Sequence, residues 1–555
     1  MKKSILKIVG LMLIGLFIGA MNGTLDAQQA QQGLTGRIVD QEGNAVPGAT
    51  ISVVGTTIGT LSEADGTYLL NNVPSGGQIQ VSFVGYISQT IDVSGRTSID
   101  VILAEETQLL DEVVVVGYGV QKKSSVTGAI TSVKSDQVEN RSVENVGQAI
   151  QGKVSGVQVL ALSSAPGANP VIRVRGYSSN GSSDPLYIVD GLKVSNIGYL
   201  DPQNVESVEI LKDAASAAIY GAQAGNGVVL ITTKTGTKGT SRIFFNSLYT
   251  NQSQARRLEM MDAAQFKEYW MESGLPASSF GTGDTDWQDV VFTNGYLLNN
   301  TLGFEGANNN GSLYVSLSYL TNDGMVVGNS DINQRLTGQI NADYMIQKWL
   351  KIGTTNSIER GMMKTVSANN FTTTGSVIGG AYYYDPTVPT FYENDDDAPA
   401  DMIAAELDGF LIRNSEGKIY GSSAILQSNL WNPLGMIDNY KNRSWRTNVN
   451  GTLYADLMPV KGLTITSRLG YRLGTTYLSN YTTSLYWNTN QKVLHGQLSS
   501  SMYHDIYYQW ENFANYLLDV GKHSFSAMAG MQYASNRIES IGASTDLLTS
   551  DAPNF

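Results

Sequence analysis

The sequence predicts a mainly β protein of several domains: a small β-sandwich, an α+β segment, and then an antiparallel sheet of long strands. Three observations predict this order. Turn-forming residues recur about every 8–12 positions over residues 34–104. A strand–helix–turn–strand unit occupies residues 200–236, and from residue 241 polar and apolar residues alternate over unusually long runs. A chain of 555 residues is also long enough to hold several domains.

Composition excludes several classes of function. The formal net charge of −13 argues against a nucleic-acid partner, because such proteins favour a basic face. The absence of Cys excludes disulfides, thiolate metal sites and cysteine catalysis. An acidic run (Asp395, Asp396, Asp397 and Asp401) lacks the spacing and the Gly of an EF-hand. We therefore predict no metal, no cofactor and no enzymatic activity; a surface hydrolase is the enzyme alternative, and no recognisable carboxylate arrangement supports it.

The N-terminus has the pattern of a secretory signal peptide, residues 1–27. Lys2, Lys3 and Lys7 form a basic region ahead of an apolar run, residues 8–20, that is too short to span a bilayer. The expected cleavage follows Ala27. No later stretch is long and apolar enough for a membrane-spanning helix, so a membrane location requires a barrel.

Residues 34–104 are predicted to form an all-β sandwich. Its expected strands are residues 35–39, 49–54, 67–70, 79–84, 87–93 and 98–103, with Gly- and Pro-containing turns between them. No catalytic set accompanies them, since the three His residues lie far away at His495, His504 and His523. The interpretation that needs no catalytic activity is a spacer or an interaction module.

Residues 105–119 combine an acidic hinge with a run of four valines, Val113–Val116. Valine favours an extended backbone, so the run predicts a strand. One interpretation is an ordinary core strand. The other is an exposed strand, because acidic and basic polar segments flank the run and no partner strand is evident close by. An unpaired strand is suited to recruitment by β-augmentation, in which main-chain hydrogen bonds supply affinity.

Residues 120–238 are predicted to form the α+β domain, and residues 200–236 are its most distinctive part. We expect a strand at residues 205–211, a helical turn over residues 214–219, a Gly-Asn-Gly turn at Gly225–Gly227, and a second strand at residues 228–233. Arg173 and Arg175 stand in an otherwise apolar strand. They are expected either to face acidic groups on a surrounding wall or to lie on a solvated strand face.

From residue 241 to residue 555 the pattern is that of membrane-barrel strands. Residues 312–320, 332–344, 445–457, 463–473 and 525–533 each alternate, with one face apolar for lipid and the other polar. Runs of about 9–13 residues fit a tilted spanning strand, whereas soluble sandwiches use about 5–6. Residues 251–299 and 366–443 are expected to be long polar loops.

Five ordered segments resemble one known family: LDEVVVVGYG at residues 110–119, GKVSGVQV at 152–159, IRVRGYSS at 172–179, DPLYIVDG at 184–191, and residues 200–236. They are similar to the TonB-dependent outer-membrane transporters of the SusC-like (SusC/RagA) type. Residues 34–104 resemble the carboxypeptidase-regulatory-like domain, a transthyretin-like sandwich. The resemblance implies a plug domain inside a plugged barrel of about 22 strands.

What the resemblance implies about function is active import of a nutrient, most often an oligosaccharide and sometimes a peptide, across the outer membrane. The implied partners are TonB with ExbB/ExbD, a SusD-like surface lipoprotein, the substrate and outer-membrane lipid, with the N-terminal domains periplasmic or in the barrel lumen. The resemblance implies that the TonB box comprises Asp111, Glu112, Val113, Val114, Val115, Val116, Gly117 and Tyr118. The plug motifs are Arg173, Arg175, Gly176, Asp190, Gly191, Asp213, Tyr220, Gly221, Gly225 and Gly227.

The alternative from another class is a binding or signalling receptor without import. Signal-transducing relatives carry an extra domain ahead of the TonB box, whereas only the sandwich stands there in this sequence. Length raises a further expectation. The residues after 240 are too few for about 22 strands with long loops, so the sequence is expected to be a fragment that holds roughly half a barrel.

Overall fold

The computed structural model describes residues 31–548, apart from positions 57, 75, 84–85, 87, 105–112, 117–118, 123–129, 140, 178–180, 240, 367–375, 427–429, 489 and 522. The chain divides into two units, Met1–Glu112 and Val113–Phe555. The predicted signal peptide lies outside the described residues. A search of the described helices finds none with both the length and the apolar character needed to cross a membrane.

The first unit is a sandwich of two sheets. Its strands are β1 (Gln31–Asp40), β2 (Thr50–Val53), β3 (Gly59–Leu61), β4 (Thr67–Pro74), β5 (Gln78–Ser82), β6 (Gln89–Asp92) and β7 (Val101–Leu103). The sheet orders are β4–β1–β7 and β3–β2–β5–β6. Ile38 and Leu70 of one sheet and Ile51 and Ile79 of the other belong to a single buried core. The sandwich is confirmed; β3, only three residues long, was missed.

The second unit opens with a short hairpin of β8 (Val113–Val116) and β9 (Gly119–Lys122). The two strands pair antiparallel, with Val113 opposite Lys122 and Val116 opposite Gly119. They form a two-stranded sheet of their own. The expectation that the valines have no nearby partner strand is therefore wrong, because the chain turns back at once on the polar segment that follows them.

The α+β domain, called the plug below (residues 130–236), is built on a five-stranded sheet in the order β10–β15–β16–β13–β14. Its elements are β10 (Ile130–Lys134), α1 (Ser135–Val138), α2 (Val146–Ala149), β11 (Val157–Leu160), β12 (Val171–Val174), β13 (Leu186–Val189), β14 (Leu192–Val194), β15 (Val205–Leu211), α3 (Ala214–Ala217) and β16 (Val228–Thr233). Strands β11 and β12 form a separate pair. Both strands predicted in residues 200–236 are confirmed, and each begins and ends at the predicted residue. The helical turn continues as a 3-10 helix, Ala218–Ala224.

The rest of the unit is one large antiparallel sheet in the order β17–β18–β19–β20–β21–β22–β23–β26–β27. The strands after the plug are β17 (Ser241–Gln252), β18 (Gly295–Ala307), β19 (Gly311–Asp323), β20 (Ile332–Gln347), β21 (Leu350–Lys364), β22 (Tyr440–Val460), β23 (Leu463–Thr482), β24 (Leu485–Asn488), β25 (Gln491–Val493), β26 (Gly496–Val520) and β27 (His523–Leu548). Strands β24 and β25 form a separate small pair. The architecture is that of a partial barrel, as predicted.

Strand lengths differ from the prediction. The sheet strands run from 12 residues in β17 to 26 in β27. The expected 9–13 residues covered only part of each strand, because main-chain pairing continues beyond the regularly alternating run, as at Ile538 and Ile541 of β27. Strands β17, β18, β21 and β26 were missed, and the C-terminal residues from Leu547, expected to be loop, begin within β27. Residues 549–555 lie outside the described part.

The faces of the sheet are arranged as the alternation predicted. In β20, Leu336 and Ile340 are exposed on one face, whereas Thr337 and Asn341 on the other are buried. The buried polar face, called the wall below, packs against the plug. A sheet that exposes Leu and Ile and buries Thr and Asn is inverted relative to a soluble protein and suits contact with lipid.

The two long loops are not simply polar. They contain α4 (Ala263–Glu272), α5 (Trp287–Val291), α6 (Val377–Tyr383), α7 (Ala400–Leu407) and α8 (Pro433–Asn439). Val291, Val377 and Met436 join α5, α6 and α8 in one small buried cluster. The sequence did not reveal these helices, because each buried cluster is built from few apolar residues that are far apart in the chain. The first loop also ends earlier than expected, at Gly295.

Candidate functional site: the plug, its wall and the valine hairpin

Strands β18 to β20 meet the plug through buried polar side chains, and these contacts are called the buried seam below. Asn204 of the plug accepts hydrogen bonds from Tyr314 Oη at 2.9 Å and from Ser316 Oγ at 2.7 Å. Asn299 Nδ2 lies 3.3 Å from the carboxylate of Asp201. All of these side chains are nearly inaccessible to solvent. The plug is thus held by specific hydrogen bonds as well as by shape.

A buried arginine of the wall strengthens the same seam. Arg335, 3% exposed, donates to the main-chain oxygens of Gly198 at 2.5 Å and Glu144 at 2.7 Å. The carboxylate of Glu144 accepts from the Gly167 amide at 2.7 Å and from Asn322 of the wall. Buried charges are tolerated when hydrogen bonds satisfy them, which is the case for this pair of groups.

This arrangement corrects the expectation that Arg173 faces acidic groups on the wall. Arg173 pairs instead with Asp184, within the plug, and the hydrogen bond that it donates lowers the pKa of Asp184. Arg175 has a left-handed backbone, with φ of 57°, followed by Gly176 with φ of 89°. Arg175 therefore ends strand β12 at a turn. The seam does contain an arginine, but the wall contributes it.

Asp190 and Gly191 form the turn between β13 and β14. The Asp190 carboxylate accepts from the Thr233 amide at 2.9 Å and from Thr233 Oγ1 at 2.7 Å, and so ties the turn to β16. Burial raises the pKa of Asp190 above its ordinary value. Gly191 has φ of 82°, a left-handed backbone that favours glycine, and it lies against the flexible Arg468 guanidinium.

The other predicted plug residues lie along the helical turn between β15 and β16. Asp213 caps α3 by accepting from the Ser216 amide at 2.8 Å. Tyr220 is half-buried, and burial raises its pKa. Gly221 and Gly227 have φ of 64° and 85°, which favour glycine, whereas Gly225 has an ordinary helical φ of −55°. These residues shape the plug; the structure does not bring them together as one cluster.

Strand β14 is the last strand of the plug sheet, and its outer edge meets the wall. Gln509 Nε2 donates to the main-chain oxygen of Gly191 at 2.7 Å, and Gln509 Oε1 accepts from the Lys193 amide at 3.2 Å. Arg472 Nη1 donates to the main-chain oxygen of Lys193 at 3.2 Å. Sequence reasoning missed both wall residues, since alternation identifies a polar face but not its partner.

Two cavities adjoin this edge, and we call the region the cavity seam: β14 and the plug loops beside it against β21, β22, β23, β26 and β27. One cavity of about 180 Å³ lies among Val194, Tyr199, Glu359 and Arg472. Another of about 290 Å³ lies among Gly191, Lys193, Tyr220 and Gln509. Gln509 borders the second cavity and Arg472 the first, so each of the two bridging side chains adjoins a cavity.

A larger half-open cavity of about 740 Å³ lies among the long loops. Its aromatic lining includes Phe391 and Trp487, and its carboxylates are Asp385, Glu393, Asp397 and Asp401. None of its lining residues among the described part of the chain is a Lys or Arg. The volume is within the range of ligand sites, about 300–1,000 Å³. Such a lining disfavours anionic ligands.

The predicted TonB-box residues fall on or beside the valine hairpin. Asp111, Glu112, Gly117 and Tyr118 lie outside the described residues. Val113, Val114, Val115 and Val116 form β8, whose described pairing is with β9 alone. An antiparallel pair of two short strands is only marginally stable by itself. The interaction role of these residues stays a prediction.

Two family models match regions of this chain. A family model described as the TonB-dependent Receptor Plug Domain matches residues 122–228, and one described as the CarboxypepD_reg-like domain matches residues 34–115. The TonB-dependent receptor SusC of Bacteroides thetaiotaomicron is 34% identical over 406 residues, 70% of this chain and 39% of that protein. The chain belongs to the SusC-like TonB-dependent receptors.

A second relative is also named a TonB-dependent receptor. The TonB-dependent receptor P3 of Formosa agariphila is 31% identical over 545 residues, which is 96% of this chain and 50% of that receptor. This SusC-like chain therefore spans about half the length of the curated relatives it matches.

The fold agrees with a solved SusC-like structure. A chain of the RagAB peptide importer in its "open-open" state superposes with a TM-score of 0.63 at 24% identity, covering 80% of this chain and 52% of that one. At this identity the likeness shows the fold alone.

Proposed function

We propose that this chain is part of a TonB-dependent transporter that imports a nutrient across the outer membrane. The observation that carries the proposal is the plug lying against a polar wall while the opposite face of the sheet exposes Leu and Ile. A sheet with these faces suits a barrel in lipid, and a wide barrel needs a plug to prevent leakage. Covalent chemistry is not required for this function.

The valine hairpin is the proposed point where TonB binds. Strand β8 has its described main-chain pairing on one side only, with β9. A partner strand can add to the other side, or replace β9, by β-augmentation. Strand β8 directly precedes the plug in sequence. A pulling force on β8 is therefore transmitted to β10 through the intervening chain.

The proposed substrate is an oligosaccharide, and a SusD-like surface lipoprotein is the proposed partner that presents it. The loop cavity supports this choice, because carboxylates accept hydrogen bonds from sugar hydroxyls and aromatic side chains pack on sugar faces. A peptide is the alternative substrate, supported by the fold shared with a protein described as a peptide importer.

A substitution in β8 tests the transport proposal. Val114→Pro removes a main-chain donor and breaks extended pairing, whereas Val114→Thr keeps strand preference and the backbone amide. We expect cells that express the complete gene with Val114→Pro to bind the nutrient at the surface without accumulating it. Val114→Thr is expected to accumulate it as the parent does, because recognition is through the main chain.

Removing residues 111–118 is the stronger form of the same test and is expected to abolish accumulation with surface binding intact. Accumulation that is unchanged by this deletion would contradict import through TonB. It would favour the second candidate, a binding or signalling receptor without import.

A further inference from the structure

The outward face of the large sheet contains a groove of about 530 Å³, called the outer groove below. Four neighbouring strands each place one small side chain on its floor: Ala342 of β20, Thr354 of β21, Ala455 of β22 and Ser467 of β23. The register places the first two on one row of the sheet and the last two on the next row, which is nearer to the short turns. Because neighbouring strands are about 4.8 Å apart, this diagonal floor is about 15 Å long.

Large apolar side chains border the floor on both sides. All of them are exposed: Tyr344 and Ile352 toward the turns, and Leu453 and Leu469 toward the loops. Trp510 of β26 closes one end, since its indole Nε1 donates to Ser467 Oγ at 3.1 Å. The outer groove is thus a narrow strip of small residues between large ones. An empty strip of this shape would lose dispersion contacts, which a single unbranched chain can supply.

The polar groups along the outer groove are already bonded within the sheet. Thr354 Oγ1 donates to the main-chain oxygen of Thr452 at 2.9 Å and accepts from Asn356 Nδ2 at 2.7 Å. The charged residue of the lining, Asp343, pairs with Lys351 at 3.3 Å. Polar groups that have partners can face an apolar ligand at little cost. The outer groove therefore suits a hydrocarbon chain better than a polar solute.

Two lysines stand in the turns beside the outer groove. Lys348 lies in the turn between β20 and β21, Lys461 lies in the turn between β22 and β23, and both are exposed. The Met458 amide donates to the main-chain oxygen of Trp349 at 2.7 Å and joins the two turns. Four residues separate Tyr344 from Lys348, which is about 14 Å of strand. One leaflet of a bilayer has about 15 Å of hydrocarbon, half of the usual 30 Å. The distance from lysine to groove therefore matches one acyl chain.

We propose that this face binds one glycerophospholipid of the periplasmic leaflet. Its phosphate lies near the ammonium groups of Lys348 and Lys461, and one acyl chain lies in the outer groove. Opposite charges favour the phosphate at the turns, and the apolar rims favour the chain. Short turns of outer-membrane barrels face the periplasm, which assigns the leaflet. The site requires only that the sheet faces lipid, and so it is independent of whether the protein imports a solute.

Filling the floor tests the acyl-chain part of the site. The complete protein is purified in detergent, stripped of lipid, and titrated with palmitoyl-oleoyl phosphatidylglycerol in native mass spectrometry. Ala342→Leu/Ala455→Leu is expected to weaken binding of the first lipid at least about tenfold, because several methylenes lose their contacts. The matched control Ala514→Leu/Ala529→Leu adds the same bulk to β26 and β27, outside the lining of the outer groove, and should bind as the parent does.

Neutralising the turns tests the phosphate part, in exposed positions where the fold tolerates change. Lys348→Gln/Lys461→Gln is expected to weaken phosphatidylglycerol at least about tenfold and to leave binding of the matched diacylglycerol, which lacks phosphate, unchanged. The control Lys441→Gln/Lys492→Gln changes exposed lysines at the loop end of the sheet and should have no effect.

Three results would overturn the site. One is a first lipid that binds no more tightly than later ones. Another is equal binding by the Ala342→Leu/Ala455→Leu variant and its control. The third is phosphatidylglycerol binding that is unaffected by Lys348→Gln/Lys461→Gln, a result that decides the matter even where the bulkier variant does not fold. A dimer mass that disappears when the floor is filled, with lipid binding unchanged, would assign the outer groove to a second copy of the chain instead.

Discussion

The plug meets its wall at two seams, which differ in how far water reaches their charged side chains. At the buried seam, Arg335, Asn341 and Tyr314 are each at most 3% exposed and bond to plug groups. At the cavity seam, Gln509 is buried to the same degree, but the side chain of Arg472 is 13% exposed and that of Asp505 31%. Cavities adjoin the second seam. The arginine of the cavity seam is therefore more hydrated than the arginine of the buried seam.

Burial determines how much each contact contributes. Losing one partner of a buried hydrogen bond leaves the other group without water, which costs about 1–3 kcal/mol, and more for charged groups. A partly hydrated contact loses less, because water replaces the missing partner. Substitutions at the two seams should therefore differ in cost even where the number of hydrogen bonds is the same.

The largest expected effect is at Arg335. Arg335→Met removes two buried charge-assisted donors to Gly198 and Glu144, and should lower the free energy of unfolding by about 3 kcal/mol. The measurement is denaturant unfolding of the complete protein in detergent, followed by amide hydrogen exchange in the plug. The control Arg360→Met changes an exposed arginine of β21 and should cost less than about 0.5 kcal/mol. Equal costs for the two would contradict the assignment of the buried seam as the anchor.

A matched pair compares the seams directly. Asn341→Leu removes bonds to Thr233 Oγ1 at 2.6 Å and Lys234 O at 2.7 Å at the buried seam, and should cost about 2 kcal/mol. Arg472→Met removes the bond to Lys193 O at 3.2 Å and the pair with Asp505 at the hydrated part of the cavity seam, and should cost only about 1 kcal/mol. Hydrogen exchange is expected to rise across the plug in the first variant and mainly in β14 in the second. A larger cost for Arg472→Met would reverse the comparison.

The smallest expected effect is a pH dependence beside the buried seam. Asp331 lies in the loop before β20, and burial raises its pKa to about 7. The folded loop therefore binds a proton more tightly than the unfolded chain, so this stabilisation is present below about pH 4 and is lost as the pH rises through 7. Amide exchange at Val326, which donates to Asp331 Oδ1, should accelerate over that range. Asp331→Asn should flatten the profile; an unchanged profile would assign it to another group.

Several features could be read from local sequence because they depend on short-range physics. The alternation in residues 332–344 predicted which side chains of β20 face outward, since successive residues of a strand point to opposite faces. The Asp201-Pro202 break and alternation similarly located β15, and the Gly225–Gly227 turn located β16. Strand β18 was not found, because Leu297 on its buried face and Asn300 on its outward face interrupt the alternation.

The site residues show the limit of local reasoning. Arg173 was expected to face acidic groups of the wall or to lie on a solvated strand face, and it pairs with Asp184 of the plug instead, since sequence shows a charge but not its partner. Val113–Val116 were expected to be unpaired and pair with the polar segment after them, because a main-chain ladder does not require apolar residues.

The sequence by itself determined the order of domains, the family and the inverted character of the large sheet, because these follow from composition, motif order and the two-residue period of a strand. Only the tertiary structure decided how the plug is held: which of its edges meets Gln509, where Arg335 reaches, and where the cavities lie. These contacts join residues up to 318 positions apart. Their geometry depends on strand register and packing, which no local pattern encodes.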